Sequence, residues 1–556
     1  MSGISIEEAG LLQLLAALEN LKESECKHQD ARNIWCPGWV SANEDSTLSI
    51  DSKAQSAKAT LRKLKSIKKV LATVSGSLEE TFERVTRQST DVLRISGFST
   101  LPDDVLARIF EINHQAYKYW GDTTKKSDYV YSSSVLARVC HRFRRIALHI
   151  PSLWEVISNA HEEGWISIVK GRYRNPDVYI AYNVPRAQKS ITRLLELACP
   201  ADRWKGLDIC FVEKLHGSDA INRVSTISKG QLPSLETLSL RLEWDDGKIE
   251  TDGEEDGTHE NEDEDDGNMN FSTNISESES DLLSTWNLPK LNRITLANLI
   301  PSEMNCPNLR TCRIDLINVM GSNHWDLHTL NEFLGSLPLL ESLSFTFTNA
   351  FSSTDYDFAE EPIKMSNLKS LDISVQADTE EGFVKSVMNM LDVSTLYSLK
   401  VSMCPISLDE PIEPEVKVEE WVNAIFFDSK SSGLWKYLKN PRLFPNVEVF
   451  SFEIEEGVHR SSSYRELFRS LPKIRDLTIV HPGCEEPNLP TGDLTNLRSL
   501  RYSKCTSYCS GESLRFLKER GRMGKIDKVE MEGCYNLRSY KGDLQEALGD
   551  KFVWKG

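Results

Sequence analysis

Two histidines four residues apart, in His324-Trp325-Asp326-Leu327-His328, have the spacing of a zinc-binding helix. Trp325 stands where such a site needs its glutamate base, so the pair lacks the chemistry of a metalloprotease. The run Asp252-x-Glu254-x-Asp256-Gly257, ending at Asp263, imitates a calcium loop but has neither the closing bidentate glutamate nor flanking amphipathic helices. Twelve cysteines are scattered with no CxxC pair, the tightest spacing being Cys505-x-x-x-Cys509. Neither a zinc site nor a disulfide framework follows from that pattern. No GxSxG, Walker A or GxGxxG motif occurs. The expectation is a non-catalytic protein with no catalytic, metal-binding or cofactor-binding residue.

Whatever the chain does must then come from surfaces that its elements present. At 556 residues it exceeds what one core usually supports, and 40% hydrophobic with 27% charged residues is ordinary for a globular protein. No run of eighteen apolar residues and no signal-peptide pattern is present, so a cytoplasmic or nuclear protein without a membrane partner is expected. The formal charge of −18 is local. Between Asp245 and Asp281 sixteen Asp/Glu face one Lys, a balance of −15, which leaves −18 minus −15, or −3, for the rest. This run reads as a disordered acidic insertion, 245–281, in which Ser276, Ser278 and Ser280 have an acidophilic kinase context. A basic partner drawn by charge alone is a third, weaker functional reading.

Residues 1–98 read as helical. Leu11, Leu12, Leu14, Leu15, Leu18 and Leu21 form one stripe. After a break around Cys36–Asp51, the residues Leu61, Leu64, Ile67, Leu71, Val74, Leu78, Phe82 and Val85 follow at steps of three or four, a coiled-coil-like seam. Its cover is either the N-terminal stripe of the same chain or a second copy.

From about 156 onward the chain repeats an apolar-x-x-apolar-x-apolar unit. The copies begin at Trp204, Leu235, Leu291, Leu309, Leu340, Leu368, Leu396, Val447, Ile474, Leu497 and Ile526. Most successive starts lie 18 to 31 residues apart; the interval from Leu235 to Leu291 holds the acidic run, and that from Leu396 to Val447 suggests one missed copy around Trp421–Tyr437. Such a period indicates leucine-rich repeats, in which each strand turns one apolar face inward and the intervening segment covers it. Cys404, Cys505 and Cys534 follow three residues after a strand triplet, which reads as a buried small hydrophobe at the turn. No regular asparagine ladder is visible.

Between these regions, residues 99–155 hold Leu101-Pro102-Asp103-Asp104-Val105-Leu106, Ile109-Phe110, then Val139-Cys140-His141-Arg142-Phe143, and finally Pro151-Ser152-Leu153-Trp154. Pro102 opens a helix with Asp103 and Asp104 at its positive end, and Val105, Leu106, Ile109 and Phe110 make an apolar stripe. Val135, Val139, Phe143 and Ile146 make a second stripe. Trp120–Ser134 reads as an inserted polar loop. So short a module has more apolar surface than it covers alone, and a partner is the natural cover. The three ordered submotifs resemble the F-box. With the helical seam, the insertion and irregular repeats, the chain is similar to the large F-box families of mushroom-forming fungi.

That resemblance implies a substrate receptor of a cullin–RING ubiquitin ligase, acting in protein degradation. A Skp-type adaptor would contact Leu101, Pro102, Val105, Leu106, Ile109, Phe110, Val139, Cys140 and Phe143, while Leu153 and Trp154 close the domain. The expected fold is α/β: an N-terminal helical region, F-box helices at 99–155, and a leucine-rich-repeat solenoid over 156–556. The target, an unknown protein, would meet strand residues lying between the inward ones, chiefly Arg313, Asp372, Lys400, Arg501 and Glu530. Their mixed charge does not suit a nucleic acid. The competing reading is a repeat scaffold for protein interactions without a ligase.

Overall fold

The structure, a computed structural model, describes residues 15, 18, 19, 50–120, 126–161, 166, 169–182, 187–212, 214–243, 282–318, 324–352, 362–405, 414–428, 440–442, 444–455, 467–480, 494–505 and 511–555. The acidic run 245–281, with its calcium-loop imitation and serines, lies outside them, as do Leu11, Leu12, Leu14 and Leu21. The chain divides into two compact units, Met1–Ile109 and Phe110–Gly556.

In the first unit a single helix, α1 (Ile50–Thr100), carries the seam. Lys, Leu, Ala, Arg and Glu, all good helix formers, supply 22 of its 51 residues and no proline interrupts it, which permits a long helix although serine is its commonest residue. A second helix, α2 (Asp103–Trp120), begins where expected: the amide of Leu106 donates to the carbonyl of Pro102 at 3.1 Å, and Asp103 and Asp104 fill the first turn. The unit boundary falls inside α2.

The second unit continues with α3 (Lys126–Val139) and α4 (His141–Leu148), which pack together. The polar stretch Trp120–Ser134 is therefore not a loop. Trp120 ends α2, Lys126–Ser134 belong to α3, and only 121–125 lie outside the described residues. Polarity alone does not separate a polar helix from a loop, and that ambiguity misled the sequence reading.

Beyond the turn Pro151–Trp154 stands one parallel sheet of fourteen strands. In chain order these are β1 (Val156–Ser158), β2 (Asp177–Ala181), β3 (Gly206–Phe211), β4 (Thr237–Leu242), β5 (Arg293–Ala297), β6 (Thr311–Ile317) and β7 (Ser342–Thr348). They continue as β8 (Ser370–Gln376), β9 (Ser398–Cys404), β10 (Val449–Ile454), β11 (Asp476–Val480), β12 (Ser499–Ser503), β13 (Lys528–Glu532) and β14 (Phe552–Lys555). Spatial order equals chain order throughout, so each strand pairs only with the copies before and after it.

The register explains the repeat. Leu207, Leu238, Ile294, Cys312, Leu343, Leu371, Leu399, Phe450, Leu477, Leu500 and Val529 face one another strand by strand, and all are buried. The row from Ile209 through Leu240, Leu296, Ile314, Phe345, Ile373, Val401, Phe452, Ile479 and Tyr502 to Met531 does the same. Because side chains alternate along a strand, a one-residue slip would expose both rows, which fixes the pairing. Each buried Leu, Ile or Phe contributes about 1.5–3 kcal/mol.

Three strands escaped the triplet pattern: β1, β2 and β14, at the two ends of the sheet. The long interval before Val447 holds no missed strand of the sheet, since β9 pairs directly with β10. Its described residues form a helix, Pro414–Phe426, and a short antiparallel pair of Phe427–Asp428 with Asn440–Pro441. An asparagine device also exists that the sequence reading did not find. Asn308, Asn367, Asn446 and Asn496, each one residue ahead of a repeat's first apolar residue, donate their side-chain amides to Pro289, Pro338, Ser394 and Pro472 of the preceding turn at 2.7–3.1 Å. Arginine, serine, lysine, leucine or threonine at the same place in other copies hid it.

Candidate functional site

Two surfaces carry the residues singled out in the sequence, one on the helices between Leu101 and Leu148 and one on the strand ladder. On α2, Leu106 is fully buried and Phe110 is 2% exposed, whereas Val105 and Ile109 are each 39% exposed and Ile112 is 53% exposed. The helix thus carries two apolar faces. The one holding Phe110 packs inward, its ring meeting Phe143 edge-on with centroids 4.9 Å apart. The other, Val105, Ile109 and Ile112 at steps of four and three, meets solvent.

Leu106 and Phe110, both expected as adaptor contacts, are buried within the chain itself. Leu101 is half-buried and Pro102 exposed. In the second unit Val139 is 59% exposed, and its neighbour on the α3 face, Val135, is 58% exposed. Cys140 is exposed and caps α4, its sulfur accepting from the Phe143 amide at 3.4 Å; Phe143 itself is half-buried. Ile112 escaped the motif-based reading, although its helical spacing from Ile109 was visible in the sequence.

Leu153 and Trp154 close this module from inside. Both are buried, and the Trp154 indole N–H donates to the carbonyl of Ala147 at 2.8 Å. The Ser133 hydroxyl donates to the Leu153 carbonyl, and the Arg172 guanidinium lies over the Trp154 ring at 5.9 Å. The Leu-Trp ending thus ties α3 and α4 to the start of the ladder.

On the ladder, the residues between the two buried rows stand in one cross-strand line. It runs Asp208, Ser239, Thr295, Arg313, Ser344, Asp372, Lys400, Ser451, Thr478, Arg501 and Glu530. Its charges are compensated by neighbours. Lys400 meets Asp372 at 3.7 Å, Arg313 meets Asp315 at 2.9 Å, and Arg501 pairs with Glu532. Partial burial raises the Asp372 carboxyl above the usual range, with Lys400 opposing that shift. Four strands in the middle, β7 to β10, show a floor of small hydroxyls: Ser342, Ser344, Thr346 and Thr348, then Ser370 and Ser374, Ser398 and Ser402, and Ser451.

Glu530 does not belong to the accessible face. Its side chain is buried beneath Lys528 at 2.7 Å, Lys555 at 2.6 Å and Arg501 at 3.8 Å. Lys555 comes from β14, a strand absent from the sequence reading, so nothing in the triplet pattern warned of this burial. Arg313, Asp372, Lys400 and Arg501 remain accessible to solvent.

The histidine pair is split. His324 sits in a two-residue strand, while His328 lies in the helix Leu327–Gly335 capped by Asp326. His328 faces Glu332 at 3.4 Å. Among the described residues no group of three or more His, Cys, Asp or Glu is placed to hold a metal ion, and no helix is long and apolar enough to cross a membrane. Cys505 and Cys534 are buried, as the repeat pattern predicts; Cys404 is half-buried.

No protein-family model and no curated protein sequence matches the chain. Among solved structures it is similar to a chain of the crystal structure of the TLR13–ssRNA13 complex, at 12% identity and a TM-score of 0.33. That alignment covers 73% of this chain and 52% of the other, so the chain spans about half of that structure's length. The strand ladder, rather than this distant likeness, defines the class: a mixed α/β protein with a leucine-rich-repeat-like parallel sheet of fourteen strands.

Proposed function

We propose that the chain is a non-catalytic substrate receptor of a cullin–RING ubiquitin ligase. The F-box-like helices bind a Skp-type adaptor, and the ladder face carrying Arg313, Asp372, Lys400 and Arg501 receives a target protein. The observation that carries this reading is the division of α2 into two apolar faces. Leu106 and Phe110 supply the internal one, leaving Val105, Ile109 and Ile112 as an apolar row at the surface. Covering that row removes apolar area from water and contributes about 25 cal/mol per Å².

The mechanism is proximity: one surface holds the adaptor and the other holds the target near the transferred ubiquitin. The test is co-purification of the full chain with a Skp-type adaptor, comparing the natural sequence with Val105→Asp/Ile109→Asp. Both positions face solvent, so the variant keeps its fold, which circular dichroism verifies. Capture by the natural chain that the folded variant loses supports the receptor. A folded natural chain that captures no adaptor overturns it in favour of a scaffold without a ligase.

A further inference from the structure

The seam of α1 is exposed over most of its length. Ile67 and Val70 are buried, but Leu61, Leu64, Leu71, Val74, Leu78, Phe82 and Val85 are all at least 36% exposed, with Leu78 at 70%. Leu15 and Leu18, the described leucines of the N-terminal stripe, are exposed as well, so neither of them covers the seam. From Leu61 to Val85 the row spans 24 residue steps, about 36 Å at 1.5 Å per residue. Seven exposed apolar positions over that length, interrupted at Ile67 and Val70, are enough for a two-helix interface.

Charge identifies the occupant. Ile50–Val70 holds seven basic residues (Lys53, Lys58, Arg62, Lys63, Lys65, Lys68 and Lys69) against Asp51, seven minus one giving +6. The next stretch, Leu71–Thr86, holds Glu79, Glu80 and Glu83 against Arg84, three minus one giving −2. The helix is therefore complementary to itself when reversed. A parallel pair would set the two +6 halves side by side, within the range where unscreened repulsion acts. An antiparallel pair sets Lys63–Lys69 of one helix along Glu79–Glu83 of the other, and lays the exposed Leu71–Val85 half against Leu61–Val74.

We propose that α1 is an antiparallel self-association helix, its partner being α1 of a second copy of this chain. Each dimer then presents two ladder faces, and target binding becomes bivalent. This inference does not depend on the ligase reading.

Sedimentation equilibrium of the full chain should give twice the monomer mass of 63.1 kDa. Leu78→Glu/Phe82→Glu, both at exposed positions, should return it to the monomer with the melting of the ladder unit unchanged. A one-to-one mixture of isotopically heavy and light chains, coupled with a zero-length carbodiimide, should yield heavy-to-light links between Lys63–Lys69 and Glu79–Glu83. A monomeric natural chain, a dimer that survives the double substitution, or mixed links lying only outside that pairing overturns the proposal.

Discussion

Glu530 on β13 and Lys555 on β14 join the last two strands of the sheet through a 2.6 Å ion pair. Hydrogen bonds from Lys528 and Lys555 hold the Glu530 carboxyl well below its ordinary value of 4.5, at about 2. A carboxyl depressed on folding binds its proton more weakly in the folded chain than in the unfolded one. Its stabilisation is therefore fully present above about pH 4.5 and is lost as pH falls towards 2. Thermal unfolding followed between pH 5 and pH 2, each about the edge of that window, should show the ladder losing stability. Glu530→Gln should lower the melting temperature at pH 7 and flatten this acid limb; an unchanged limb would remove Glu530 from its cause.

A left-handed residue recurs directly after the strands: Asn298 after β5, Asn349 after β7, Ala377 after β8, Lys504 after β12 and Gly533 after β13, with φ between 50° and 64°. Asparagine and glycine suit that conformation; Ala377, at φ 54°, does not, because its Cβ crowds the backbone. Ala377→Gly should therefore stabilise the ladder by up to about 1 kcal/mol, relief of the left-handed strain outweighing the entropy of the extra freedom. Denaturant midpoints of the two chains measure it, and a lower midpoint for the variant refutes the strain.

The ladder was legible because one register rule decides every strand. A residue such as Leu371 must face both Leu343 and Leu399, and that demand left the triplet in eleven successive copies. Where the demand relaxes, the signal fades. Strands β1 and β14 each have a neighbour on one side only, and β14 ends in Trp554 and Lys555 rather than a leucine row. The same relaxation hid the burial of Glu530, since its clasp depends on β14. On α2, spacing marked an apolar stripe but did not say which half of it turns inward.

The asparagine device tests how the copies are tied together outside the sheet. Asn446 donates to the Ser394 carbonyl at 2.8 Å and accepts from the Lys473 ammonium at 2.8 Å, so one amide links three successive copies. Its position is exposed, which places the cost of Asn446→Ala at about 0.5–1.5 kcal/mol. Asn367→Ala, removing one bond at 2.9 Å, should cost less. Chemical denaturation of both variants and their combination measures this, and the two effects should add because the sites share no partner.

Phe110 and Ile109 are adjacent in sequence and opposite in role, which separates folding from binding on one helix. Phe110 is buried against Phe143, so Phe110→Ala should destabilise the second unit by about 3–5 kcal/mol through the cavity it leaves. Ile109, with 39% exposure, leaves no comparable cavity, and Ile109→Ala should cost less than about 1 kcal/mol. Under the receptor reading the order reverses for adaptor capture measured on folded protein. Ile109→Ala should weaken it directly, whereas the folded fraction of Phe110→Ala should retain it. Titration of the adaptor against each variant at a temperature where both are folded decides the matter: equal weakening by the two would mean that α2 binds through its packing rather than through its exposed row.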